Sequence, residues 1–344
     1  MGAVIAVGYA IMGDRQGRRR PFLAATLLLF LATAATAFAN GPLVYTVLQG
    51  LTRMGGAAAG ALAVVLLAEQ LRPDSRAWGI AVYAAATAFG SGIGLFALPI
   101  ARMGEQSWRV LFGLAALGLI VYPLLSSKLP ESPAFRPVER PASFLAVPFG
   151  AHARGFWTLA AYSLLVASFG VIVITFGLER LVNDLGYTTG AASWIMLVGG
   201  TVGGIGFFAG GRMADTMGRK ATISVALLAG LVGGVGFYWL SSPPLLIFSW
   251  TVSTFGGFAS IPAAAAQRNE LFPTEVRATA VQWINSTAVL GSMLGLAVGA
   301  ATIDVWGLPR TVATLGIGVI LAIVIQTFVP ESLGTQLDQD NVAP

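Results

Sequence analysis

The chain has 344 residues, of which 56% are hydrophobic and 10% are charged, so a soluble protein is excluded and an integral membrane protein is predicted. Because it contains no cysteine and one histidine, disulfides, thiolate sites and histidine metal clusters are excluded, and we expect no enzyme chemistry, no metal and no cofactor. The net charge of +5 is typical of the Lys and Arg excess on the cytoplasmic face of a membrane protein, and we expect no nucleic acid as a partner.

The membrane spans are predicted from stretches almost free of Asp, Glu, Lys and Arg, because about 20 apolar residues in a helix cross the hydrocarbon core. Residues 1–12 are apolar but too short to span, and the basic residues follow them, whereas a signal peptide has its positive charges in front. The ten predicted helices cover residues 21–38, 43–68, 77–101, 109–127, 156–178, 189–211, 221–240, 244–267, 278–302 and 311–329. We expect an all-α membrane protein that divides into an N-terminal helical half at 1–127, a central loop at 128–155, a C-terminal helical half at 156–329 and a tail at 330–344.

The loops between these spans differ in charge. Fifteen Lys and Arg residues fall in loops on one side of the membrane, and four fall on the other side. The positive-inside rule makes the first side cytoplasmic, and both the central loop and the tail lie on it. We therefore expect a multi-pass protein of the cell membrane, inner or plasma, with a cytoplasmic C-terminus.

An internal repeat connects the two halves. The sequence GDRQGRR at 13–19 recurs as ADTMGRK at 214–220, 201 residues later. The charged residues repeated at this spacing, or at 200, are Asp14 with Asp215, Arg18 with Arg219, Glu69 with Glu270, Arg76 with Arg277, and Glu131 with Glu331. Because charged residues are sparse here, this register indicates two copies of one helical unit, an arrangement that many secondary transporters share.

These motifs resemble the major facilitator superfamily. The loop after its second and eighth helices carries G-x-x-x-D-R/K-x-G-R-R/K, which GRMADTMGRK at 211–220 matches except at Thr216 and AIMGDRQGRR at 10–19 matches except at Ala10. ELFPTEVRATA at 270–280 and PESPAF at 130–135 resemble segments of the sugar, organic-ion and metabolite:proton symporter branches. The resemblance implies two six-helix repeats, with helix one and half of helix two missing here, and a secondary active transporter that works by alternating access.

The resemblance also implies a cytoplasmic gate, in which salt bridges close that side in the outward-facing state and separate in the inward-facing one. Its expected members are Asp14, Arg18, Glu69, Arg76, Glu131, Asp215, Arg219, Glu270, Arg277 and Glu331. The alternative is that these charges only set the topology of the chain.

Candidates for the substrate cavity come from their depth in the spans. Arg53 lies about ten residues into its predicted span, where a charge is costly enough to indicate a function. The superfamily often has an arginine in its fourth helix, facing the cavity. The other candidates are Gln49, Tyr162, Ser163, Trp250 and Thr254. Packing between helices is the alternative role for each of them.

The predicted function is transport of a small organic solute, coupled to protons and carried out by a monomer. A cationic residue with no mid-span carboxylate favours an organic anion, and efflux of a drug or metabolite is the alternative. Because the second copy begins near residue 156, the first would begin about 45 residues before Met1. We therefore expect Met1 to be an internal methionine. The remaining alternative is a truncated membrane protein that does not transport.

Overall fold

The computed structural model describes residues 2–97, 100, 103–135 and 146–337 of the chain. Every regular element in these residues is helical, and they contain no strand. This agrees with the predicted all-α class, because a helix satisfies all backbone hydrogen bonds inside one apolar segment. Residues 98–99 and 101 of the predicted span 77–101, and residues 338–344 of the predicted tail, lie outside the described residues.

The helices follow one another with short connections. The first six are α1 Gly2–Gln16, α2 Arg19–Thr36, α3 Pro42–Gln70, α4 Arg76–Ala97, α5 Trp108–Gly113 and α6 Ala116–Lys128. The others are α7 Ala146–Phe149, α8 Ala153–Thr175, α9 Gly177–Glu179 with a π-helical turn at Arg180–Asp184, α10 Thr189–Gly203, α11 Ile205–Met217, α12 Arg219–Trp239, α13 Pro243–Glu270 and α14 Arg277–Phe328. Prolines start α3 and α13, because proline lacks the N–H that a first helical residue does not use.

Seven helical stretches in the described residues are long and apolar enough to cross a membrane. They are Pro42–Gln70, Trp108–Lys128, Ala153–Asp184, Thr189–Met217, Arg219–Trp239, Pro243–Glu270 and Arg277–Phe328. The last has 52 residues and changes direction at Gly307, whose φ of 76° is not helical, so the predicted spans 278–302 and 311–329 lie on either side of this residue. A multi-pass helical protein is confirmed, and the count of ten spans stays a prediction.

Close glycine contacts hold α8 against α14. A Cβ atom at Gly291 or Gly295 would collide with the backbone of Leu164 and Ser168, so only glycine permits this approach. Gly90 of α4 is the repeat counterpart of Gly291, but nothing lies within 4 Å of a Cβ built there. In the described residues, this face of α4 is therefore open where the equivalent face of α14 is packed.

The two halves of the chain meet reciprocally. Helix α1 packs against the start of α14, and its repeat counterpart α11 packs against α4. Both contacts lie where the repeated charged residues are found. The fold thus brings together charges that are far apart in sequence.

Candidate functional site

All ten residues predicted for the gate lie together at one end of the helices. We call this set the charged end; it consists of Asp14, Arg18, Glu69, Arg76, Glu131, Asp215, Arg219, Glu270, Arg277 and Glu331. Its four central arginines, Arg18, Arg76, Arg219 and Arg277, are at most 2% exposed. Buried charges need partners, and the partners are arranged with the same twofold repetition as the sequence.

Two aspartates each bind the start of a helix in the other half. The Asp215 carboxylate accepts the first free backbone N–H groups of α4 at 3.1 and 2.8 Å. The Asp14 carboxylate accepts the equivalent groups of α14 at 3.1 and 2.8 Å, and the hydroxyl of Thr279 at 2.7 Å. The N–H groups of a first helical turn have no intrahelical acceptor and carry the positive end of the helix dipole, so they favour a carboxylate.

Glu270 joins arginines from both halves. Its carboxylate accepts two bonds from Arg219, from Nε at 3.1 Å and from Nη2 at 2.9 Å. Arg76, from the N-terminal half, donates to the same carboxylate at 2.6 Å. The hydroxyl of Ser332 donates a further bond at 2.7 Å. Glu270 is 3% exposed, so all four bonds act with little solvent screening.

Glu69 holds the equivalent position in the first copy. Arg18 donates to it from Nη2 at 3.2 Å, and Arg277, from the C-terminal half, donates at 2.6 Å. The hydroxyl of Ser132 donates a further hydrogen bond to the Glu69 carboxylate at 2.5 Å. The two networks are therefore related by the repeat, and each contains an ion pair that crosses between the halves.

Glu131 and Glu331 bind the backbone at the starts of α2 and α12. Glu331 accepts the N–H of Arg219 at 2.9 Å and of the following residue at 3.1 Å, and two more N–H groups of its own turn. Burial alone would raise the pKa of Glu331, but these four N–H donors outweigh it and hold the pKa below its usual value. Gly218 has a φ of 101°, and a Cβ there would lie 2.7 Å from the Glu331 carboxylate, so this turn requires glycine.

Two backbone contacts complete the connection between the halves. Arg18 donates to the carbonyl of Thr274 at 2.5 Å, and Arg219 donates to the carbonyl of Pro73 at 2.8 Å. Each guanidinium therefore binds a carboxylate of its own half and a carbonyl of the other. None of the contacts across the halves survives if the halves separate at this end.

A cavity of about 300 Å³ lies between the halves next to the charged end. We call it the polar cavity; its polar lining residues are Tyr162, Ser163, Ser260, Arg268, Asn269 and Asn285. Arg268 donates to the amide oxygen of Asn285 at 3.0 Å and to the hydroxyl of Ser163 at 3.2 Å. Its Nε is buried without a hydrogen-bond acceptor, and no ion pair involves Arg268 among the described residues. The polar cavity is therefore lined by a cation that has no anionic partner among the described residues.

A second cavity, of about 470 Å³, is lined by α8, α12, α13 and α14 and carries no charged residue. We call it the apolar cavity; Phe169, Trp250 and Phe258 are among its lining residues. Ser260 lines both cavities, as do Val166, Ala167 and Ile261, so the two spaces adjoin.

The structure separates the six predicted cavity residues into four groups. Tyr162 and Ser163 line the polar cavity, whereas Trp250 and Thr254 line the apolar one. Gln49 faces α2 and donates to the hydroxyl of a threonine there at 3.2 Å. Arg53 lines neither cavity and is exposed.

Arg53 nevertheless shares a helix face with the polar cavity. Gly60 and Val64, which line that cavity, follow Arg53 by seven and eleven residues, and both spacings bring a side chain back to the same side of a helix. At 1.5 Å per residue, Arg53 lies about 10 Å from Gly60 along α3, on the side away from the charged end.

Arg268 was missed in the sequence because it falls among the basic residues that the positive-inside rule assigns to the cytoplasmic side. One signal could have found it. The position 201 residues earlier is Leu67, so Arg268 is not part of the repeat, whereas its neighbour Glu270 is.

A sequence profile of the Major Facilitator Superfamily matches residues 1–245 and, in a second match, residues 158–339. The chain belongs to this superfamily. Its relatives include the gallate transporter of Pseudomonas putida, with 29% identity over 92% of this chain and 77% of the relative. The inner membrane metabolite transport protein YhjE of Escherichia coli is 26% identical, over 83% of this chain and 72% of the relative. The gentisate transporter of Corynebacterium glutamicum is 24% identical, over 85% of this chain and 68% of the relative.

Solved structures agree on the fold. The transporter FucP in an outward conformation matches 95% of this chain and 86% of its own, with a TM-score of 0.80 and 13% identity. The human organic anion transporter MFSD10 matches 94% of this chain and 82% of its own, with a TM-score of 0.77 and 18% identity. The proton:xylose symporter XylE matches 98% of this chain and 86% of its own, with a TM-score of 0.75 and 17% identity. The protein is thus a multi-pass membrane transporter of the major facilitator superfamily and not an enzyme.

Proposed function

We propose that this transporter carries a small aromatic carboxylate and that Arg268 binds the carboxylate group. The observation that carries the proposal is the polar cavity, which is lined by a half-buried arginine that has no ion pair with an acidic residue among those described and whose Nε has no hydrogen-bond acceptor. The names of two relatives, the gallate and gentisate transporters, support a carboxylate on an aromatic ring. The volume of about 300 Å³ is at the lower end of the range for small-molecule sites.

The chemistry of the cavity favours a monoanion. A guanidinium presents its N–H groups in a fixed plane and binds a carboxylate through two parallel bonds. Ser163 and Asn285 already orient the Arg268 guanidinium, so less side-chain entropy is lost when the substrate binds. Arg53, on the same face of α3 as the cavity lining, would attract the anion before it reaches Arg268.

The charged end would act as the cytoplasmic gate, closed in this structure. Cross-half bonds of Asp14, Asp215, Glu69 and Glu270 support this role, because they can form only when the halves are together. The excess of basic residues in the loops supports a cytoplasmic location for this end and for the tail. Alternating access would then expose the polar cavity first outside and then inside.

Proton coupling follows from the charge of the substrate. Moving a monoanion into a cell against a negative interior costs about 2.3 kcal/mol per 100 mV, and one co-transported proton cancels this term. Neither cavity is lined by a carboxylate among the described residues, so the group proposed to bind the proton lies outside these two linings. One chain supplies helices from both halves to the cavity, which supports a monomer as the working unit.

The open face of α4 supports a bundle with a further helix. Gly291 packs against the backbone of α8, and its counterpart Gly90 has empty space in the same place. The repeat therefore favours ten complete spans accompanied by a helix equivalent to α8 on α4, which corresponds to the expected helix one.

A second candidate is efflux of an apolar drug or metabolite. The apolar cavity supports it, because about 470 Å³ lined without charge suits a neutral hydrophobic solute. Under this alternative, Arg268 would not affect transport.

Uptake of radiolabelled gallate into proteoliposomes tests the proposal. We expect Arg268→Ala to weaken substrate binding at least about 30-fold, because removal of one partner from a buried charge pair costs about 2 kcal/mol or more. Arg268→Lys should keep part of the affinity, because it retains the charge without the planar geometry. Arg53→Ala should reduce uptake less.

Arg72→Ala is the matched control, since the Arg72 side chain is 83% exposed and pairs only with Asp74 among the described acidic residues. Unchanged gallate uptake in a well-expressed Arg268→Ala variant would contradict the proposal. Retained export of an apolar dye by the same variant would favour efflux instead.

A further inference from the structure

We propose that the apolar cavity holds the ring of the substrate and that Ser260 and Ser292 accept hydrogen bonds from its ring hydroxyl groups. This inference rests on the proposed function, because Arg268 must first fix the carboxylate in the polar cavity. It assigns the selection between hydroxylated and unsubstituted aromatic acids to two serines of the apolar cavity, one of which, Ser260, also lines the polar cavity.

The first observation is that the two cavities adjoin. Ser260 and Ile261 of α13, and Val166 and Ala167 of α8, line both of them. A molecule bound to Arg268 at one end can therefore extend past these residues into the apolar cavity. A planar ring suits that cavity, because aromatic side chains such as Trp250 line it and can stack with a ring.

The second observation is the state of the hydroxyl groups in the apolar cavity. Ser260 donates its hydrogen to the carbonyl of Gly257 at 2.8 Å, and Ser292 donates to the carbonyl of Ala288 at 3.2 Å. A hydroxyl whose hydrogen is bound to its own helix keeps lone pairs for accepting. The apolar cavity thus offers acceptors, whereas the polar cavity offers the donors of Arg268.

This arrangement, with hydrogen-bond donors in the polar cavity and acceptors in the apolar cavity, matches one class of molecule. A carboxylate accepts hydrogen bonds, and a phenol hydroxyl donates one, so a hydroxylated aromatic acid is complementary at both ends. A second carboxylate or a phosphate would be unpaired, because no Lys or Arg lines the apolar cavity in the described residues. An unsubstituted ring would fit the space but leave the serine lone pairs without donors.

Transport of two labelled probes, gallate and benzoate, into proteoliposomes of the full chain tests the inference. For wild type we expect a lower KM for gallate than for benzoate. Ser260→Ala and Ser292→Ala should each raise the KM for gallate about three- to tenfold and leave that for benzoate within about twofold, since each removes one hydrogen bond made only by hydroxylated rings.

Ser224→Ala is the matched control. Ser224 also donates to its own helix, to the carbonyl of Lys220 at 3.0 Å, but it lines neither cavity. This variant should keep the wild-type KM for both probes. Arg268→Ala should raise the KM for both probes together, which separates the carboxylate site from the ring site.

The outcomes distinguish the two proposals. If both serine variants change gallate and benzoate equally, or change neither, the ring assignment is wrong while carboxylate binding at Arg268 stands. If Arg268→Ala leaves both probes unaffected, the proposed function fails. If the wild-type protein transports neither probe, both proposals are overturned.

Discussion

The substitution Asp215→Asn distinguishes a gating role of the charged end from a role in setting the membrane topology of the chain. The substitution keeps the size of the side chain and leaves every Lys and Arg in place, so the positive-inside signal does not change. It alters only the carboxylate that binds the start of α4 across the halves. A shift between conformations would therefore report gating and nothing else.

The magnitude follows from the bonds of Asp215. In the closed state its two oxygens accept N–H groups at 3.1 and 2.8 Å, and asparagine keeps one acceptor but turns an N–H₂ group toward the other. The loss of one charge-assisted bond and of the favourable helix-dipole contact amounts to about 2 kcal/mol. Its bond to Arg219, at 2.7 Å, lies within one half and does not depend on closure. The open state should gain about 30-fold in relative population, the limit set by this differential interaction.

Cysteine labelling measures the shift, and the chain has no native cysteine. Ala61→Cys places a thiol in the polar cavity, next to the charged end, and Gly170→Cys places one in the apolar cavity where nothing lies within 4 Å of the new Cβ. An impermeant maleimide added on the side of the charged end should label Ala61→Cys faster, by up to about 30-fold, in the Asp215→Asn background. Labelling of Gly170→Cys from the opposite side should fall.

Asp184→Asn provides the matched control. Asp184 also pairs with an arginine four residues away, Arg180 at 3.1 Å, but this pair makes no contact between the halves. It should leave both labelling rates unchanged. Equal labelling in wild type and Asp215→Asn would refute the gating argument and leave membrane topology as the role of these charges.

Two further predictions concern stability, each measured by thermal unfolding of the purified protein. Glu331→Gln should destabilise the start of α12 by about 1 kcal/mol at neutral pH. Because the folded pKa of Glu331 is lowered, the stability that its carboxylate contributes is lost as the pH falls through that pKa, so the difference from wild type should vanish in acid. A difference that persists in acid would contradict this role of Glu331. Gly291→Ala should lower the melting temperature, because its Cβ meets the backbone of Leu164; Gly90→Ala should lower it as well if a helix equivalent to α8 covers α4 as proposed, and an unchanged melting temperature in Gly90→Ala would contradict that helix.

The charged end was predictable from sequence because it is repeated. In an apolar chain with few charges, the offset of about 200 residues groups ten charged residues into one set without any structure, although it relates residues of the same type and not the partners of an ion pair. The cross-half contacts were not predictable in detail. Asp14 and Asp215 bind backbone N–H groups, and such a partner cannot be recognised from the sequence because every residue except proline has one. The membrane class followed from composition alone, because hydropathy does not depend on how helices pack.

The cavity was harder to predict because depth in a span does not determine which way a side chain points. Tyr162 and Gln49 lie at similar depths in their predicted spans, yet one lines the polar cavity and the other binds a threonine of the neighbouring helix. Arg53 was identified by the cost of its charge, but the structure leaves it exposed beyond the cavity. Arg268 departs from the repeat, but its lack of an acidic partner among the described residues could be observed only in the structure.

The repeat also explains why the proposed gate and the polar cavity differ in their symmetry. The charged end joins two halves that are related by the repeat, so each half carries the same set of partners, and Glu69 and Glu270 accordingly bind the same kinds of residue. An aromatic carboxylate has unlike ends, and two equivalent half-sites could not distinguish them. Two of the residues proposed to contact it break the repeat accordingly: Arg268 stands opposite Leu67, and Arg53 lies 201 residues before Thr254. Departure from the repeat thus distinguishes the two arginines proposed to attract and bind the carboxylate from the charged end, whereas Ser292 carries no such signal because Ser91 lies 201 residues before it.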